Sequence, residues 1–221
     1  MKSIVNGWVV RGLALSIGAL CAGGLSSCNY VGPAYLLIHG PEKTPAVFTL
    51  EKDRPTVIFV DDRSSVLPRR ALRQQIGTAA QNVLLKERVL KNVIDTSAAM
   101  TAAAHESAGE PMDLISLAKA VQAEVVVYVT VDGYRLSADG QSYSPEARYH
   151  VKVIDITKPN PRVWPPEHEG YSMTVMMKPS SASPPKNAGE QSTALNALAD
   201  RSGTAVAQLF YKHETREQIA N

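Results

Sequence analysis

Val125-Val126-Val127-Tyr128-Val129-Thr130-Val131 is the stretch that decides the fold of this 221-residue chain. β-Branched residues follow one another with no polar alternation. A strand with one wet face would alternate, so this run fits the centre of a sheet covered on both sides. Immediately before it, Leu114, Leu117, Ala118 and Val121 recur at helical spacing. Further back, Val57-Ile58-Phe59-Val60 follows Pro55 and ends at Asp61-Asp62, a second short run that reads as a buried strand. Between the two runs, Pro68 is a plausible first-turn residue for a helix. In that helix Leu72, Ile76, Ala79, Ala80 and Val83 form one apolar stripe, with Arg69, Arg73, Gln74 and Gln81 turned mostly to solvent. Val89 to Ile94 reads as a strand nearer an edge, because Lys91 and Asn92 interrupt it. Asp95 or Thr96 then caps a short Ala-rich helix through Ala104.

Downstream of the central run the period changes to two. Tyr149, Val151 and Val153 alternate with His150, Lys152 and Ile154; Tyr171, Met173, Val175 and Met177 alternate with Ser172, Thr174 and Met176. These segments read as antiparallel strands with one wetter face, joined by turns at 138–141 and 158–161. Residues 178–191, rich in Pro, Ser, Lys and Gly, read as a flexible loop. A last helix carries Leu195, Leu198, Ala199, Val206, Leu209 and Phe210 on one stripe, weakened by Gly203 in its interior. The expected fold is a single α/β domain over residues 47–213. Its mixed β-sheet begins as βαβ and continues as an antiparallel meander, with helices packed on it and a tail at 214–221.

The N-terminal end carries an address. Lys2 and Arg11 precede the small and apolar residues Gly12 to Leu25, and Leu25-Ser26-Ser27-Cys28 follows. A charged start, a short apolar stretch and small residues before the cut make residues 1–27 a secretory signal, too short for a spanning helix. A branched residue, two small residues and Cys resembles the lipobox of bacterial lipoproteins. That resemblance implies acylation of Cys28 and cleavage just before it, hence a membrane partner reached through lipid. Asn29, not Asp, follows the Cys, which in that family implies the outer membrane, periplasmic face. Residues 28–46, with Pro33, Gly40, Pro41 and Pro45, read as an extended tether. The two cysteines are Cys21 and Cys28, and Cys21 lies in the segment to be removed, so no disulfide and no Cys-based metal site is expected. A formal net charge of +2 with both signs scattered argues against a nucleic-acid binder, which would show a basic face. No other run of 18 apolar residues follows the signal.

The order of elements resembles a group of periplasmic lipoprotein domains that includes CsgG, LpoB and the N-terminal domain of TolB. The matching pieces are the strand Thr56 to Asp61, the long helix after it, and the helix-then-strand segment Leu117 to Val127. Val151 to Asp155 with Val163-Trp164, and the ending Ala205 to Phe210, match as well. The resemblance implies a fold similar to the TolB N-terminal domain. Function does not travel with fold. A membrane pore would need inserted hairpins with strands of about 9–11 alternating residues; the connections at 104–112 and 136–146 are short and polar, so a channel is not expected.

Few residues carry chemistry. Asp61 and Asp62 sit at the end of the first strand, where open α/β sheets place ligands. They are candidates for a cation site, and the simpler reading is a solvated loop with a helix cap. His39, His105, His150, His168 and His213 lack metal-ligand spacing. No Gly-x-Ser-x-Gly elbow and no Gly-rich phosphate loop occurs, and no cofactor is expected. The leading expectation is a lipid-anchored, non-enzymatic envelope protein that binds another envelope protein or itself. Its binding surface would be an exposed edge strand or the wetter face of 147–156 and 171–177, with Tyr149, Val151, Tyr171, Met173 and Trp164 as candidates. The alternative is a periplasmic small-ligand or cation-binding sensor or hydrolase that uses Asp61 and Asp62.

Overall fold

The computed structural model describes residues 43–104, 113–178 and 183–214. The signal segment, Cys28, the tether up to residue 42 and the tail from 215 lie outside the described residues, as do 105–112 and 179–182. The chain divides into a unit of residues 45–213 and a second unit formed by the chain ends, 1–44 with 214–221. The architecture below is that of the first unit.

The valine run becomes the long strand β3 (Val125–Arg135), and it is central. On one side it pairs in parallel with β1 (Thr56–Asp61), Ile58 facing Val127; on the other it pairs antiparallel with β4 (Glu146–Asp155), where Val127 faces Val153. β1 also pairs in parallel with β2 (Val93–Ile94), a two-residue edge strand, shorter than the expected Val89 to Ile94. Leu90, just before it, turns into the core. The outer side of β4 holds β5 (Arg162–Trp164) and β6 (Tyr171–Met176), both antiparallel to it. They run in the same direction along one edge, so they form one edge strand interrupted by the 165–170 excursion opposite Lys152. Gly170 closes that excursion at φ +104, in the region glycine reaches without strain.

Among the described residues four helices cover the sheet. α1 (Ala71–Lys86) and α4 (Ala188–Gln208) pack on one face, over Val127, Val129, Tyr149 and Val151. α2 (Thr96–Ala104) and α3 (Leu114–Ala120) pack on the other, over Val57, Phe59 and Val126. Capping follows the short polar side chains: Asp95 accepts from Ser97 N–H, Asp113 from Ile115 and Ser116 N–H, and Asn187 from Glu190 N–H. The loop expected over 178–191 therefore ends sooner, because Asn187 nucleates α4 at Ala188. α1 begins at Ala71, so Pro68 belongs to the turn before it. Gly203 is a contact residue: a Cβ there would lie 2.4 Å from the Ile76 carbonyl oxygen and 2.8 Å from the Ala80 nitrogen, so only glycine lets α4 approach α1 this closely.

One ion-pair network ties the ends of three strands together. Arg54 donates from both terminal nitrogens to Asp155, at 2.5 and 2.9 Å, and from Nε to Glu124 at 2.7 Å. Thr157 donates its hydroxyl to Asp155 at 2.7 Å. The Asp155 side chain is 3% exposed, and burial by itself would raise its pKa; the bonds from Arg54 and Thr157 outweigh that and hold it at about 2.

Candidate functional site

The surface residues expected from the alternation separate into two groups. Tyr149 and Val151 are fully buried under α4, and Trp164 is buried against Phe48, Tyr171 and Phe210 with ring centroids 5.7, 5.1 and 6.2 Å away. These three are core residues and present no binding face, a correction whose cause is α4 lying on the apolar side of the meander. Tyr171 and Met173 are half-buried and pack against the same core. The side chains that reach solvent from β6 are the intervening ones, Ser172, Thr174 and Met176, and Met176 is 63% exposed.

The backbone of β6 is equally informative. Met177 N–H donates to the Pro145 carbonyl, which sets the direction of every second amide. Antiparallel strands alternate bonded and non-bonded pairs. The register therefore aims the amides of Tyr171, Met173 and Val175 at β4, and those of Ser172, Thr174 and Met176 outward. Among the described residues no strand pairs with that outer side. The strand carries no charge, no proline and no bulge, the features that usually protect an edge. The adjoining sheet face is polar: Asp132 Oδ2 lies 2.5 Å from His150 Nδ1, and Arg148 lies beside Glu146.

At the other end of the molecule's chemistry, Asp61 and Asp62 are not a solvated pair. Asp61 is buried, and its Oδ2 accepts from the Tyr128 hydroxyl and from Arg63 Nε, both at 2.7 Å. Burial first, and the Asp61 carboxylate second, push the Tyr128 phenol well above its ordinary pKa, so it remains a proton donor to Asp61. Asp62 accepts the N–H groups of Val66 and Leu67 at 2.7 and 3.0 Å, closing the turn before α1 and not capping the helix. Arg73, expected to face solvent, folds back over the strand end: its Nε donates to the Val60 carbonyl at 2.9 Å and its guanidinium carbon sits 5.8 Å from the Phe59 ring centre. A cavity of about 460 Å³ opens here, lined by Asp61, Asp62, Arg63 and Arg73 together with Arg70 and Met100. Periodicity alone could not find it, because it places Arg73 on the polar stripe without saying that the stripe begins beside the strand terminus.

Among the described residues no cluster of three or more His, Cys, Asp or Glu side chains is arranged to hold a metal ion, and no helix is long and apolar enough to cross a membrane. No family model and no curated protein matches the chain. Solved structures similar to it include the PelC dodecamer from Paraburkholderia phytofirmans, at 14% identity over 78% of this chain and 97% of that one, TM-score 0.40. The hypothetical protein CT253 from Chlamydia trachomatis is 19% identical over 70% of this chain and 96% of that one, TM-score 0.43. Lipoprotein GNA1162 from Neisseria meningitidis is 15% identical over 70% of this chain and 99% of that one, TM-score 0.37. Likeness at these scores leaves the reading of this chain to its own residues: a single α/β domain with a mixed sheet, helices on both faces and, among the described residues, an unpaired outer edge along β6.

Proposed function

We propose that this chain is a lipid-anchored, non-enzymatic envelope protein whose domain serves as an assembly module, joining another envelope protein or a second copy by adding a strand to β6. The observation that carries the reading is the outward-facing, uncharged edge of Ser172, Thr174 and Met176. Strand addition takes its affinity from main-chain hydrogen bonds and its selectivity from alternate side chains. The anchor at Cys28 and a fold similar to the lipoprotein group named above are part of the same reading.

The test is Thr174→Pro. The Thr174 amide points away from β4, so proline removes no ladder bond within the domain but blocks an incoming strand. With a photo-crosslinking residue at Ser172 in the intact lipoprotein, the parent forms a defined adduct in envelopes and the Thr174→Pro variant loses it while keeping its melting temperature. An adduct of equal yield in the proline variant refutes strand addition at this edge.

A further inference from the structure

From the cavity at the C-terminal end of β1 we infer that this domain binds a small organic anion, its oxyanion held by Arg70 and Arg73 and its apolar part resting on Phe59, Met100 and Leu117. The site is independent of the β6 edge, since β3 and β4 separate the two in the sheet. Its volume, about 460 Å³, is that of a metabolite-sized pocket.

Charge identifies the ligand class. Five charged side chains line the cavity: Asp61, Asp62, Arg63, Arg70 and Arg73. The two carboxylates are already engaged inside the protein. Asp61 takes Arg63 and the Tyr128 hydroxyl, and Asp62 takes two backbone N–H groups. A cation would have to displace those donors and sit beside three guanidinium groups. An anion meets the opposite situation. Arg73 is held by Nε on the Val60 carbonyl and by the face of Phe59, so its terminal nitrogens are preorganised at the cavity wall. Among the described residues no carboxylate forms an ion pair with Arg70 or Arg73. A planar guanidinium fork matches the paired oxygens of phosphate or carboxylate, and does so best where it is fixed and partly desolvated. The apolar floor of Phe59, Met100 and Leu117 has no use for a bare inorganic ion, so the ligand carries a small hydrophobic body. Phenylphosphate is the simplest molecule with both parts.

The experiment is calorimetric titration of the intact, acylated chain in detergent with phenylphosphate, inorganic phosphate and benzyl alcohol at constant ionic strength. Phenylphosphate binds more tightly than inorganic phosphate, and benzyl alcohol does not compete. Arg73→Gln and the more exposed Arg70→Gln each weaken phenylphosphate by about tenfold or more, the loss of one charge-assisted hydrogen bond. Arg73→Lys recovers part of the affinity. Displacement by monomeric dihexanoyl phosphatidylglycerol marks a lipid headgroup as the source of the anion; no displacement marks a soluble one. Phenylphosphate that fails to bind at millimolar concentration, or binds equally to the parent and to Arg70→Gln, overturns the inference. Neither result touches the crosslink from Ser172, which reports the edge strand alone.

Discussion

Acid should dissolve the bond that closes the strand ends, and the size of the effect follows from Asp155. Its carboxyl falls from an ordinary 3.8 to about 2 in the folded protein because Arg54 and Thr157 together outweigh the cost of its burial. At 1.36 kcal/mol per unit that difference is worth about 2 kcal/mol of stability. Because the folded value is the lower one, this stability is present above about pH 4 and is lost as the pH falls through 2. By pH 2.5 about two thirds of it is gone. Other carboxylates titrate over the same range, so the comparison must be with Asp155→Asn, which removes this one titration. Urea unfolding of both proteins at pH 7 and pH 2.5 gives two stability gaps, and the gap at pH 2.5 should be smaller by roughly 1–2 kcal/mol. Had desolvation won, the folded carboxyl would titrate above 3.8 and the gap would widen on acidification. A gap that stays constant or widens therefore refutes the claim that Arg54 stabilises the charged form.

Gly203→Ala should destabilise the domain by about 2 kcal/mol in urea unfolding at pH 7, since overpacking against the immobile α1 backbone at Ile76 and Ala80 exceeds the roughly 1 kcal/mol that alanine returns as helix propensity; a gain in stability would mean the two helices can separate freely. Cys28→Ala should abolish incorporation of a fatty-acid analogue and leave the chain uncut or released from the membrane fraction, and label that persists in the variant removes the lipid anchor from the reading.

The strands and helices that the sequence reveals are those whose signal is local. β3 and β1 are continuous runs rich in β-branched residues, and α4 repeats apolar residues along one stripe, so each is marked within its own segment. The Arg54–Asp155 pair spans 101 positions, and neither residue is unusual beside its neighbours, so nothing local marks it. The error over Tyr149, Val151 and Trp164 has a different origin. Alternation says which residues share a face, and it leaves open which face a helix covers. The placement of α4 resolves the matter: it lies on the face bearing Tyr149 and Val151, and those side chains join the core beneath it. Gly203 carries the same lesson in reverse: read alone it is a weak point in a helix, and against α1 it is what permits the contact.

An uncharged six-residue edge is a hazard for a protein free in solution, where any encounter between copies can extend the sheet. Attachment to a membrane changes the balance. A lipid anchor with a short tether confines the domain to a thin layer, raising the effective concentration of any partner held in the same layer. Three outward amides and carbonyls would then suffice for an association too weak to persist in bulk solvent. In the proposed function the anchor and the open edge would act on one equilibrium, the first through entropy and the second through hydrogen bonds. This is also why Thr174→Pro and Cys28→Ala should reduce the same crosslink by separate routes, the one with the protein still on the membrane and the other with its edge still intact.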